Sequence, residues 1–176
     1  MNASSRAVAL EVVRRVADEG AYSNLLLPSL VSRSGLAERD RALATELGYG
    51  TLRRLIPIDH ALGALVDLPL ASASPRARAA LRVGAYQLLF TRVPPHAAVS
   101  ETVALLAGNE RGFANAVLRR LAREGLPEPP PGDEGVAVRT GLAAWAVREL
   151  RLLLGDEAEP AGGQRPQPGE RLDHLA

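Results

Sequence analysis

The chain has 176 residues, enough for one ordinary domain with an extension, and 47% of them are hydrophobic, so it can bury a core. It contains no cysteine, which excludes disulfides, thiolate metal sites and cysteine nucleophiles within this chain. Its histidines, His60, His96 and His174, lie far apart, so we expect no metal centre. The net charge is +1, no apolar run is long enough to span a bilayer, and the first residues do not resemble a signal peptide; we therefore expect a cytoplasmic protein.

Apolar residues recur with helical spacing through most of the chain, whereas strict alternation never extends over a full strand. Serines and prolines indicate where helices begin, and glycines indicate where they end. These signals predict helices over residues 4–20, 23–34, 38–55, 57–65, 74–90, 95–107, 111–124 and 140–154. The helix 74–90 is apolar on nearly every side, so we expect it at the centre of the fold. The predicted class is all-α.

Composition divides the chain into four parts. Residues 1–125 carry most of the helical pattern and form the main domain, while the prolines of residues 126–139 predict a linker. Residues 140–154, with Trp145, form an additional helix. Residues 155–176 are rich in glycine and proline and have little to bury, so we expect a disordered tail whose removal leaves the melting temperature nearly unchanged.

The basic residues are all arginine, 21 in number. This reflects either a coding bias or selection for phosphate and base contacts, which arginine makes better than lysine. On the first helix, Arg14 and Arg15 share the outer face with Glu11 and Asp18, so that face is expected to neutralise itself.

An aromatic residue and an arginine stand four positions apart in the helix 38–55, at Tyr49 and Arg53. The pair can stack on an unpaired RNA base, or Tyr49 can seal a junction between helices. The sequence alone does not decide between these two roles.

The segment 111–124 gives the clearest functional signal. Its predicted core stripe consists of Phe113, Ala114, Val117, Leu118 and Leu121. The opposite side carries Asn115, Arg119, Arg120 and Arg123. No acid lies within that arc, and only Glu124 stands at its margin, so the arginines are predicted to bind a phosphate backbone unless a neighbouring element supplies acids. Asn115 either reads a base edge or caps a neighbouring helix.

Catalytic motifs are absent from the sequence. Asp40, Glu46 and Glu101 are scattered along separate helices, which favours caps and ion pairs over an acid/base couple. His96 and Ser100 share one helical turn, but no acid is placed to orient the histidine. The sequence therefore offers no hydrolase site.

Several long strings resemble a known family, in one order and over roughly residues 5–155. They are GAYSNLLL (20–27), RDRALATELGYGTLR (39–53), LRVGAYQLLF (81–90), VPPHAAVSET (93–102) and GFANAVLRR (112–120). These strings are similar to the start of the bacterial 16S rRNA cytosine-C5 methyltransferases of the RsmB (Sun or Fmu) type. The last string is also similar to the antitermination factor NusB. The resemblance implies a NusB-like fold of two packed helical bundles that acts as an RNA-binding accessory, with 16S rRNA as the partner.

The chain departs from that family in one respect that bears on activity. Family members carry an S-adenosylmethionine-binding domain with a cysteine nucleophile, whereas this chain has no cysteine. The resemblance therefore implies no catalysis and no cofactor for this chain alone, and S-adenosylmethionine only where a methyltransferase domain is supplied separately. The alternatives are a NusB-like antitermination factor, acting with RNA and a transcription or ribosomal protein, and a helical domain that binds only proteins.

Overall fold

The computed structural model describes residues 4–154, and within that range it contains α-helices, one 3-10 turn and no β-strand. The prediction of an all-α protein is confirmed. The predicted disordered tail, residues 155–176, lies outside the described residues. The helices are α1 (Ser5–Glu19), α2 (Ser23–Arg33), α3 (Glu38–Arg53), α4 (Leu55–Gly63), α5 (Pro75–Phe90), α6 (Pro95–Val103), α7 (Gly108–Glu124), α8 (Gly132–Thr140) and α9 (Ala144–Leu154), with the 3-10 turn at Leu70–Ser72.

The helices form two bundles that share α1 and α3. The smaller bundle joins α1, α2 and α3 around Val12, Leu27 and Ala44. The larger one packs α4, α6 and α7 around α5, whose residues Ala79 to Ala85 are almost entirely buried. The prediction that this helix is central is confirmed, since a helix that is apolar all round has no face to give to water.

Local capping chemistry sets the ends of the principal helices. The Ser4 side chain accepts a hydrogen bond from the Ala7 amide and begins α1, and Ser74 does the same for the Ala77 amide, with Pro75 in the first turn of α5. Gly20 ends α1 in the left-handed conformation at φ 69°. These boundaries are those that the sequence predicts.

A buried amide joins three helices of the larger bundle. Gln87 is fully buried on α5, and its Oε1 accepts a hydrogen bond from Arg6 Nε of α1 at 2.8 Å. Its Nε2 donates to the Val83 carbonyl and to Thr102 Oγ1 of α6, both at 3.1 Å. All its hydrogen-bonding atoms are thus used, which makes the amide a specific connection in an otherwise apolar core.

We expect Gln87→Leu to lower the free energy of unfolding by about 2 kcal/mol, because it leaves the buried Thr102 hydroxyl and the Arg6 guanidinium without their partner. Urea denaturation measures the change. The double variant Gln87→Leu/Thr102→Val is expected to recover part of the loss, because apolar groups then replace both partners. A single variant as stable as the unmodified chain would show that the network contributes nothing.

The end of the described chain differs from its sequence prediction. Residues 132–140 of the predicted linker form α8, so the linker prediction of 126–139 is wrong beyond the proline run. Val136 and Ala137 of α8 are buried with Val147 of α9 against Ile56 of α4, and this contact stabilises a helix that its own sequence does not mark. Gly141 then ends α8 at φ 79°, and the additional helix begins at Ala144 rather than at residue 140.

None of the helices within residues 4–154 has the length and apolarity needed to cross a membrane.

Candidate nucleic-acid interface

Helix α7 presents one face to the core and the other to solvent. Ala114, Val117, Leu118 and Leu121 are buried in the larger bundle, as the predicted core stripe requires. The fifth predicted core residue, Phe113, is instead 40% exposed, so its assignment to the core is wrong. The segment 65–74 faces α7 at this point without closing over the ring, and a groove is left between them.

Arginines and one amide form a row along the solvent side of α7. Arg111, Asn115, Arg119 and Arg123 follow one another at intervals of four residues, which places them on neighbouring turns of one helix face. All three arginines are exposed. Within the part of the chain that the structure describes, none of the three pairs with a carboxylate. We call Arg111, Asn115, Arg119 and Arg123 the arginine row.

Arg120 differs from the other predicted contact residues. Its Nε pairs with Glu124 Oε1 at 2.9 Å, and its Nη1 reaches the Leu65 carbonyl at 3.4 Å. The expectation that the arc lacks an acid is therefore wrong for Arg120, since Glu124 turns toward it. Arg120 stands between the arginine row and the groove beside Phe113, because Leu65 also lines that groove.

Asn115 orients an arginine in the structure. Its Oδ1 accepts a hydrogen bond from Arg119 Nε at 3.0 Å, one helical turn away. The terminal nitrogens of Arg119 have no hydrogen-bond partner among residues 4–154. Arg123 Nη1 makes one long contact of 3.4 Å to the Arg119 carbonyl. The amide thus holds a guanidinium in place instead of capping another helix.

The other two candidate residues, Tyr49 and Arg53, belong to α3 and do not join the row. Tyr49 is half-buried against the core of the smaller bundle, so it seals a helix junction, one of the two roles that the sequence leaves open. Arg53 is exposed, and its side chain forms no hydrogen bond or ion pair within residues 4–154. Its neighbour Arg54 lies over the Phe90 ring at 5.3 Å from the centroid, a cation–π contact.

Tyr86 lies near this end of α3. Its hydroxyl donates a short hydrogen bond to Glu46, and its ring stacks on Phe90 at 5.9 Å. Burial, and then the hydrogen bond to the Glu46 carboxylate, raise the pKa of Tyr86 to about 12, against the smaller opposing effect of Arg53 and Arg54. Glu46 is thus occupied by Tyr86 and is not an available acid.

The arginines of α1 are neutralised within their own helix, as predicted. Arg14 pairs with Glu11 at 2.8 Å and with Glu19 at 2.6 Å, and Arg15 pairs with Glu19 at 3.4 Å. The hydrogen bond from Arg14 lowers the pKa of Glu11. Asp18, predicted to share this task, pairs instead with Arg78 of α5 at 2.8 Å. The α1 face therefore serves as a natural comparison for the arginine row.

Two features of this surface are not among the predicted site residues. Arg111 belongs to the exposed face of α7, as its interval of four residues to Asn115 indicates, but the predicted face begins at Asn115. The groove beside Phe113 has a volume of about 540 Å³ and cannot be found from α7 alone, because most of its lining residues belong to the segment 65–74. No group of three metal-ligating side chains comes together among residues 4–154.

The fold and this surface define a class: an all-helical protein of two bundles with a row of exposed arginines on one helix. The match to the model of the NusB family, over residues 3–123, gives the particular family, and the chain belongs to it. A solved structure of NusB from T. maritima superposes with a TM-score of 0.63 at 20% identity, covering 70% of this chain and 91% of that one. The predicted NusB-like fold is confirmed.

Curated relatives extend the match beyond the family model. A Mycobacterium tuberculosis relative, designated a methyltransferase, is 45% identical over 193 residues, which cover 94% of this chain and 42% of the relative. Ribosomal RNA small subunit methyltransferase B of Thermus thermophilus is 40% identical over 166 residues, covering 93% and 39%. The same-named protein of Escherichia coli is 35% identical over 180 residues, covering 97% and 41%. The chain spans about 40% of the length of these relatives.

Proposed function

We propose that the chain is an RNA-binding module whose ligand is small-subunit ribosomal RNA, bound through the arginine row of α7. The observation that carries this proposal is the set of three exposed arginines, at positions 111, 119 and 123, that pair with no carboxylate among the described residues. Guanidinium groups in such a row suit the spaced phosphates of a nucleic-acid backbone, to which each offers a bidentate fork. The names of the relatives indicate the class of RNA.

The module's second role is to position that RNA for a cytosine-C5 methyltransferase domain. α8 and α9 support this role. They lie beyond residue 123, where the match to the NusB family ends, whereas the match to the Escherichia coli methyltransferase covers 97% of the chain and therefore includes nearly all of both helices. α9 buries only Val147 and exposes Trp145, Leu152 and Leu153 at 66%, 80% and 78%. An apolar face of this size suits a protein contact. We propose that a methyltransferase domain binds this face of α9 and that the protein works in the cytoplasm.

By itself the chain is proposed to be catalytically silent. Attack on cytosine C6 by the family's route needs a thiolate, and the sequence has no cysteine. We expect the purified chain neither to bind S-adenosylmethionine in calorimetry nor to transfer a labelled methyl group to 16S rRNA. Saturable cofactor binding, or incorporation of label above that of a heat-denatured sample, would contradict this.

A free-standing antitermination factor is the second candidate, and the match to the NusB family over residues 3–123 favours it. The two functions differ in the preferred RNA. Fluorescence anisotropy with labelled 16S rRNA hairpins and with an antiterminator leader separates them. Tighter binding to a ribosomal hairpin supports the first function, and tighter binding to the leader supports the second. Binding to neither RNA would leave only a protein-interaction domain.

A further inference from the structure

The groove beside α7 is lined by one aromatic side chain and by an apolar wall. Phe113 is 40% exposed at its edge, and Leu65, Val66, Leu68 and Leu70 form the opposite wall. Leu68 is itself 69% exposed. The volume of about 540 Å³ exceeds that of a planar heterocycle, so the groove is large enough for a nucleobase.

The charge around the groove indicates what enters it. Arg120 contacts the carbonyl of the groove residue Leu65, and the arginine row continues from there along the same helix. A polyanion bound along the row therefore passes the mouth of the groove with its backbone on the arginine side. The unstacked bases of such a strand can then enter the apolar groove. Proteins commonly bind single-stranded RNA in this way, with bases stacked on aromatic side chains.

Polar atoms at the rim restrict which base is favoured. Asp67 lines the groove, is exposed and has no hydrogen bond or ion pair within the described part of the chain. The other carboxylate, Glu110, accepts a hydrogen bond from Ser74 Oγ. A carboxylate accepts hydrogen bonds from an exocyclic amino group, such as N4 of cytosine, and is repelled by the O4 acceptor of uracil.

We propose that this groove is a subsite for one unstacked nucleobase bearing an exocyclic amino group, stacked on Phe113 and bonded through that group to Asp67. The proposal rests on the proposed RNA binding and adds to it a base preference and a site for that base. Phosphate contacts at the arginine row supply most of the affinity, and the groove supplies discrimination between cytosine and uracil.

The test is fluorescence anisotropy with labelled single-stranded rC12 and rU12, two pyrimidine oligomers of equal length and charge whose bases differ at the C4 substituent. The unmodified chain is expected to bind rC12 about tenfold more tightly, within the range of one discriminating base contact. Asp67→Asn is expected to remove most of this preference. Phe113→Ala is expected to weaken rC12 binding about tenfold, since loss of one stacked base costs between fivefold and a hundredfold, with the salt dependence unchanged.

Leu25→Ala is the matched control, because Leu25 is 68% exposed on α2, outside the groove lining. Leu68→Ala, on the opposite wall, is a second groove variant and keeps the test valid if Phe113→Ala lowers the melting temperature. Equal binding of rC12 and rU12 by the unmodified chain, or groove variants that bind like Leu25→Ala, would overturn the subsite while RNA binding stands. If the unmodified chain binds neither oligomer nor any ribosomal hairpin, both proposals are wrong.

Discussion

Gly50→Ala is expected to lower the free energy of unfolding by about 3 kcal/mol, because a Cβ at this position would overlap the Tyr86 phenol ring. Gly50 is buried in α3, and a Cβ at this position would lie well inside the van der Waals contact distance of Oη and Cζ of Tyr86. The added methyl group must displace the ring, which breaks the Tyr86–Glu46 hydrogen bond and disturbs the stacking on Phe90. For a chain of this length the melting temperature should fall by roughly 6 to 12 °C, measured by circular dichroism.

The matched control is Gly112→Ala, another helical glycine, where a Cβ meets nothing within 4 Å. There the better helix propensity of alanine should raise stability by up to about 1 kcal/mol. A further check is Gly50→Ala combined with Tyr86→Leu, which should cost less than the sum of the two single changes because the clash is removed. If Gly50→Ala proves as stable as Gly112→Ala, the packing of α3 on α5 described here is wrong.

Neutralising Arg119 and Arg123 together, as Arg119→Gln/Arg123→Gln, should weaken binding to a 16S rRNA hairpin loop by roughly a hundredfold. The reason is that each substitution removes a guanidinium that makes a charge-assisted contact to a phosphate oxygen. The slope of log affinity against log salt should flatten by about 1.4, or about 0.7 for each phosphate contact with a single strand. The melting temperature should change little, because both side chains are exposed and the core residues of α7 point the other way.

Arg14→Gln/Arg15→Gln is the control with the same change of charge. Both arginines are held by Glu11 and Glu19, so their removal leaves two carboxylates unpaired and should affect stability more than RNA affinity. If this variant loses more RNA affinity than the α7 variant does, RNA binds to the first helix and the assignment to α7 is wrong.

Most of the fold could be predicted from local sequence, because its helices carry periodic apolar faces and two of the long ones begin at serine caps. The Ser4 and Ser74 caps and the apolar α5 are of this kind. α8 could not be predicted, because it has few apolar residues and follows a run of prolines. α8 is stabilised by Ile56, some 80 residues earlier in the chain. A contact between residues so far apart produces no periodic pattern of apolar residues in the local sequence.

The candidate site was predicted in part, for a related reason. Helical projection identifies the residues that leave the core, and it placed Arg119 and Arg123 correctly on the solvent side of α7. It cannot show what a neighbouring segment covers. Phe113 falls within the apolar arc, yet the segment 65–74 stands away from it. Asp18 likewise lies beside Arg14 and Arg15 in projection, but α5 brings Arg78 closer.

The most direct test of RNA binding through α7 is ultraviolet cross-linking of the full chain to a 16S rRNA fragment substituted with 4-thiouridine, followed by mass spectrometry of the cross-linked peptides. We expect the cross-links to fall within residues 109–123 and the facing segment 65–74, and to be lost in Arg119→Gln/Arg123→Gln. Cross-links concentrated on α1 or α2, or cross-links unaffected by that variant, would contradict the assignment of the RNA-binding surface to α7.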